Sequence, residues 1–280
     1  MTKDDQTRLA EAFRKMHQGP RLLLLPNAWD AMSARIFESA GFGAVATTSG
    51  GVAWALGFPD GEKAPWDEVV AATQRIARAV RVPVTADIEA GFGETPEDVA
   101  RSVLQIITTG AVGINLEDST SDPAMPIRPI ENAVERIRAA REAARAADIP
   151  IVINARIDLY LKHVHDDATR FSETVRRAKA YAAAGADCVF PFALTDPKIL
   201  GELVAAVQMP INVVGRPGTP GVGQLEEIGI ARVSIASGAT MATMSLIRQI
   251  ADELAKRDGF DMLRSSMTRP DVQNLFAKTE

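Results

Sequence analysis

Eight short runs rich in valine, isoleucine and leucine recur along the chain, at residues 22–25, 44–48, 82–88, 112–116, 151–157, 188–192, 211–214 and 232–235. Each has the length of a strand rather than of a helix. Between them lie segments of helical periodicity, such as Val134, Ile137, Arg138 and Arg141 within 131–147, and Val175, Ala178 and Ala182 within 171–184. A strand followed by a helix, eight times over, predicts parallel strands joined by right-handed crossovers, and closing such a sheet removes its edges. The 280 residues suit one α/β (β/α)8 TIM barrel, which takes about 250. An open doubly wound sheet is the alternative. It is disfavoured because no Gly-x-Gly-x-x-Gly turn follows the first run and because the strand count matches a barrel.

The joints repeat as well. Ala40-Gly41, Thr109-Gly110, Ala184-Gly185 and Ile228-Gly229 each place a glycine where a helix ends and a strand is due, the position that favours a left-handed backbone. Thr95-Pro96-Glu97-Asp98 carries a capping hydroxyl, a proline for the first helical position and a carboxylate three residues on. Nothing resembling a linker divides the chain, so residues 1–280 are read as a single domain. A leading helix is expected at 2–18 and a C-terminal helical extension at 257–280, broken near Pro270, which would dock on a neighbouring subunit or on its own barrel.

Lys plus Arg number 31 and Asp plus Glu 36, a net charge of −5 without a basic run, which argues against nucleic acid as a partner. One cysteine, Cys188, cannot form an intrachain disulfide, and residues 1–18 are polar and of mixed charge, so a cytoplasmic protein is expected. The longest apolar stretches fall far short of the roughly 20 residues of a membrane span.

In a barrel of this kind, chemistry sits where strands end. The third run closes on Asp87-Ile88-Glu89 and the fourth on Asn115-Leu116-Glu117-Asp118. Asp87 and Glu89, two apart, are expected on one face of a strand, and Glu117 on the next strand brings a third carboxylate close. Single acids at strand ends often cap helices or pair with lysines. Three that converge repel one another unless a cation neutralises them, and oxygen ligands without histidine favour Mg2+ or Mn2+. Thr48-Ser49-Gly50-Gly51 offers hydroxyls and backbone N–H groups to an anion, although Ser-Gly-Gly is also an ordinary turn. Arg156, set among apolar residues of the fifth run, must find anions: a substrate, or Asp158 and Glu117. His163, His165 and Tyr160 follow that run as possible proton carriers. Cys188 reads as core, His17 as exposed, and Asn212 and Arg216 flank a rigid loop that either touches substrate or merely connects.

Four pieces together resemble the isocitrate lyase/phosphoenolpyruvate mutase superfamily from about residue 22 to 250. They are Pro26-Asn27-Ala28-Trp29-Asp30; Thr48-Ser49-Gly50-Gly51 with Leu56-Gly57-Phe58-Pro59-Asp60; Asp87-Ile88-Glu89-Ala90-Gly91-Phe92-Gly93; and Asn115-Leu116-Glu117-Asp118 with Asn154-Ala155-Arg156. The resemblance implies a Mg2+-dependent barrel, a homodimer or homotetramer, with a C-terminal helix often exchanged between subunits. It makes Asp87 the direct metal ligand and Glu89, Asp60 and Glu117 its water-mediated shell. Ser49 and Gly50 would hold a substrate carboxylate, and Arg156 with Asn212 would bind oxygens that become negative.

Two departures narrow the activity. The lyases' Lys-Lys-Cys-Gly loop, and the lysine and asparagine of the phosphonate enzymes, give way to Ser119-Thr120-Ser121-Asp122-Pro123-Ala124-Met125-Pro126. The histidine or glutamate expected on the sixth strand falls on Phe192. The expectation is a lyase or decarboxylase that cleaves a carbon–carbon bond of a small 2-oxo or 2-hydroxy di- or tricarboxylic acid through an enolate. Its rivals are a phosphoenolpyruvate mutase or phosphonopyruvate hydrolase-like carbon–phosphorus enzyme, and a 2-oxo acid binding protein without catalysis.

Overall fold

Pro26 splits the first stave of the barrel into two short strands, β1 (Leu23–Leu25) and β2 (Asn27–Ala28), because proline has no N–H to give a ladder. The computed structural model, which describes residues 1–277, turns this split to use. β1 pairs with one neighbour and β2 with the other, while the Pro26 carbonyl still accepts the Ala46 N–H at 2.9 Å.

After the leading helix α1 (Lys3–Met16) and the first stave come α2 (Ala31–Ser39), β3 (Val45–Thr47), α3 (Ser49–Leu56), α4 (Trp66–Ala79), β4 (Val84–Asp87), α5 (Pro96–Thr108) and β5 (Gly113–Glu117). There follow α6 (Ile130–Ala147), β6 (Val152–Ile157), α7 (Asp167–Ala184), β7 (Cys188–Pro191), α8 (Pro197–Val207), β8 (Asn212–Val214), α9 (Val222–Ile228), β9 (Arg232–Ser234) and α10 (Gly238–Lys256). Every expected strand is present, and every pairing between strands is parallel. The ladder runs β2-β3-β4-β5-β6-β7 on one side and β1-β9-β8 on the other. The continuous β1/β2 stave joins the two at one seam. A bridge between Val189 and Ile211, with the Val189 N–H on the Pro210 carbonyl at 3.0 Å, joins them at the other. The sheet is a closed eight-stave barrel.

Strand parity decides what lines the lumen. On β5, Ile114 and Leu116 face the helices and join the apolar core, whereas Gly113, Asn115 and Glu117 face inward. Register then sets inward residues side by side: Asn115 lies opposite Asn154, and Glu117 opposite Arg156. Asn115 Oδ1 accepts from Asn154 at 2.9 Å and from Arg232 on β9 at 3.2 Å, so a belt of buried polar groups crosses the barrel below its mouth.

The other end is closed by α1, whose N-terminus is fixed by a reciprocal cap between Thr2 and Asp5. Gln6 donates to the carbonyls of Ile107 and Ala111 at 2.8 and 3.0 Å, and Arg14 to those of Pro150 and Ile151. Phe13 is fully buried beneath Gly113. His17, expected to be exposed, is buried instead: Nδ1 lies 2.8 Å from the Phe13 carbonyl, and burial, reinforced by Arg232, pulls its pKa down to about 4. Pro270 does not break a helix; it sits in the first turn of α11 (Arg269–Phe276), capped by Thr268. The end of the expected extension, residues 278–280, lies outside the described residues.

Since Phe13 seals the barrel floor, Phe13→Ala should lower unfolding stability by about 3–5 kcal/mol in urea titrations. A loss below about 1 kcal/mol would show that α1 is not part of the folded unit.

Candidate active site

The carboxylates reach one another by two different routes. Asp87 ends β4 with its N–H on Thr47 Oγ1 at 2.8 Å, and its carboxylate faces the start of α3, where the Ser49 N–H points at Oδ2 from 3.4 Å. Glu89 was expected beside it through strand alternation, but β4 stops at Asp87. Glu89 takes a left-handed backbone (φ 50°), which returns its N–H to Asp87 Oδ1 at 3.3 Å. A left-handed non-glycine residue costs of order 1 kcal/mol or more, so the surroundings must hold it. Two groups do so. The Glu62 N–H donates to Glu89 Oε2 at 2.7 Å, while the Glu62 side chain accepts the Phe92 N–H at 2.7 Å. From outside, the buried guanidinium of Arg136 on α6 donates to the carbonyls of Ala90, Gly93 (2.8 Å) and Glu94 (3.0 Å).

Glu117 ends β5 and accepts from Arg156 Nη1 at 2.8 Å and from the Ser119 hydroxyl. Arg156, on β6, also donates through Nε and Nη2 to Asp158 at 2.6 and 2.9 Å. Both partners left open by the sequence are therefore engaged at once. Phe192 lies against the guanidinium, 4.0 Å from its centre, where an ionisable side chain was expected in relatives.

The segment after β3 is a helix, not a turn. α3 begins at Ser49, with Thr48 before it bonded through Oγ1 to Ser237 Oγ at 2.9 Å, at the start of α10. A Cβ at Gly51 would lie 2.5 Å from Thr48 and 2.7 Å from Thr240, so only glycine lets the two helix starts approach. Gly50 packs beside the Asp60 carboxylate, which sits exposed at the rim. Asn212 stands apart, its amide exchanging bonds with Ser234 at 3.0 and 3.3 Å inside the barrel. His163 and His165 are exposed, and Arg216 is exposed with one bond to the Ala193 carbonyl. Cys188 is core, its thiol pushed up to about 12 by burial.

Burial is the first cause raising the pKa of Asp87, Glu89 and Glu117, and mutual repulsion is the next for Glu89, whose neighbours Asp87, Asp60 and Glu117 lift it to about 8. Burial lifts Glu117 to about 7 against the pull of Arg156. Burial disfavours the Arg156 cation too, yet Glu117 and Asp158 outweigh it and keep the guanidinium charged. Among the described residues no three His, Cys, Asp or Glu side chains are arranged to grip a bare ion directly. The carboxylates instead share one electrostatic neighbourhood short of positive charge, with Asp60 open to water. That donor set fits a hydrated divalent ion held by one or two carboxylates and otherwise through water, the habit of Mg2+.

Glu89 holds its proton more tightly folded than unfolded. Its contribution to stability is therefore complete below about pH 4.5 and is lost as pH rises to about 8. In metal-free protein, wild type should lose stability relative to Glu89→Gln across that interval, as followed by urea unfolding at several pH values. A difference independent of pH would contradict the crowding.

The phosphoenolpyruvate phosphomutase family model matches residues 13–255. The 2-methylisocitrate lyase of Escherichia coli strain K12 is 33% identical over 81% of this chain and 76% of its own. Oxaloacetate decarboxylase 2 of Pseudomonas fluorescens strain Pf0-1 is 29% identical over 97% of this chain and 94% of its own. A crystal structure of a Burkholderia cenocepacia J2315 protein superposes with a TM-score of 0.91 at 35% identity, covering 99% of this chain and 98% of that one. With its carboxylate-rich strand ends on a closed parallel barrel, the chain belongs to the phosphoenolpyruvate mutase/isocitrate lyase superfamily.

Proposed function

We propose that this chain is a lyase that breaks a carbon–carbon bond of a small 2-oxo or 2-hydroxy di- or tricarboxylic acid, with Mg2+ as cofactor and Mn2+ able to replace it. The observation that carries the reading is the pairing of crowded, desolvated carboxylates with one guanidinium on a single barrel mouth. Asp87 would hold the ion directly and Glu89, Asp60 and Glu117 through water. When bound, the ion supplies a Lewis acid for the 2-oxo oxygen and the adjacent carboxylate.

The chain's own residues supply the rest. The N–H groups of Ser49 and Gly50 at the start of α3, beside the Thr48 hydroxyl, orient the substrate carboxylate. Arg156 donates to the oxygen that gains charge as the bond breaks, its plane fixed by Asp158 and its face shielded from water by Phe192. Glu117 orients Arg156 and would orient water around the ion, and Asn212, on the far wall, would exchange a bond to Ser234 for one to the substrate. In the simplest form the C3–carboxylate bond breaks, its electron pair moves toward the 2-oxo oxygen, and carbon dioxide leaves without needing a proton. The 119–126 loop favours this form: it folds back through the Thr120 N–H on the Pro126 carbonyl and carries no lysine, cysteine or histidine. The oxaloacetate decarboxylase and 2-methylisocitrate lyase relatives support the same substrate class. Cleavage into two organic fragments is the second reading, with Tyr160, just past the end of β6 and beside Arg170, as its donor.

A panel of oxaloacetate, substituted malates, methylisocitrate and phosphonopyruvate separates these readings, by carbon dioxide release, two organic fragments, phosphate release, or binding without turnover. Arg156→Ala should lower kcat by roughly 10²–10³, and Asp87→Ala should abolish the dependence on added Mg2+. Full turnover of Asp87→Ala in chelator would overturn the metal role.

The whole chain, 1–280, acts as one catalytic unit in this reading, in the cytoplasm; among the described residues no helix is long and apolar enough to cross a membrane. We further infer a homodimer or homotetramer. Along α10, Met241, Met244, Leu246 and Ile247 are more than half exposed, an apolar surface that a solitary barrel leaves in water. Ile247→Glu should shift the light-scattering mass toward the 30.0 kDa of one chain. A wild-type mass already equal to one chain would refute the assembly.

A further inference from the structure

Behind the mouth, between the barrel and its outer helices, lies a buried polar cluster that the proposed chemistry does not use directly. Asp118 follows Glu117, is almost fully buried, and points away from the lumen. Its Oδ2 accepts from the Tyr181 hydroxyl at 2.7 Å and from Arg177 Nη1 at 3.0 Å, both on α7. Its Oδ1 accepts the backbone N–H of Asp158 at 3.0 Å. Asp158, itself fully buried, makes the two-pronged bond that fixes the Arg156 plane. Arg177 also donates to the Tyr181 hydroxyl at 3.0 Å and pairs with Glu173, which closes the outer end. Such a cluster is costly to bury, and an apolar side chain in place of Tyr181 would pack the same space without an O–H to satisfy.

We propose that Tyr181 and Arg177 are positioning residues for Arg156, acting through Asp118 and Asp158. The chain of contacts runs α7 to the end of β5, across to the backbone at the end of β6, and inward to the guanidinium. Asp118 draws the Asp158 backbone toward α7, and this sets where the Asp158 carboxylate stands. That carboxylate occupies Nε and Nη2 of Arg156, leaving Nη1 for Glu117 at the mouth. The proposal rests on the reading of Arg156 as the donor to developing negative charge, and it adds that α7 sets this donor's angle.

Tyr181→Phe removes one O–H and keeps the ring; Arg177→Met is a second, independent variant. Each should lower kcat roughly tenfold with KM within twofold, because a misdirected donor is felt mainly when charge develops. Each should also move the Arg156 Nε–H resonance in a 15N TROSY spectrum, assigned by its loss in Arg156→Lys. A lowered melting temperature with kcat or the resonance unmoved would overturn the proposal, leaving the cluster a stability element. If the wild type turns over nothing in the panel, the functional reading fails by itself, and the resonance then decides the positioning: movement in both variants supports it and constancy overturns it.

Discussion

Several carboxylates are forced into one poorly hydrated space with a single guanidinium that also serves Asp158, and much of the structure follows from keeping them there. Desolvation and like charge both disfavour the arrangement. Asp87, Glu89 and Glu117 therefore stay together only because separate elements hold each one: the end of β4, a left-handed turn braced by Glu62 and Arg136, and the end of β5 tied to β6. In the function proposed above, a site held this firmly against its own repulsion is prepared for a cation before the cation arrives. Arg156, gripped by two carboxylates, is in the same reading prepared to meet negative charge.

The barrel makes this assembly possible through parity and closure. Inward residues of neighbouring staves fall at matching heights, so a polar layer of Asn115, Asn154 and Arg232 lies directly under the acidic mouth. Below that layer Phe13 and α1 seal the floor, which leaves the strand C-termini as the open end. The helices then act on the site from behind: α6 steadies the loop after β4, α7 steadies the end of β6, and the starts of α3 and α10 are locked together by Thr48 and Ser237.

The eight staves were legible because each is a short apolar run, and periodicity is a local signal. The acids at their ends were legible because a strand end in a barrel is a defined place. What escaped depends on distant partners. The left-handed turn that brings Glu89 back to Asp87 has no local signature at a glutamate, and α3 was hidden by glycines that serve close packing rather than a turn. His17 looked exposed because nothing near it in sequence announces the floor it packs on. Tyr181, Arg177 and Arg136 read as ordinary helix residues, since their partners lie 42 to 63 positions away. Asp158 had a usable signal: two residues beyond Arg156, it falls on the same side of the chain.

In the proposed function these carboxylates share one hydrated divalent ion. A crystal grown with Mn2+ and oxalate tests it most directly, through anomalous scattering at the manganese edge. One strong peak is expected, bonded to Asp87 and bridged by waters to Glu89, Asp60 and Glu117, with oxalate completing its shell and reaching Ser49 and Arg156. Oxalate bound without a manganese peak, or a peak away from Asp87, would contradict it.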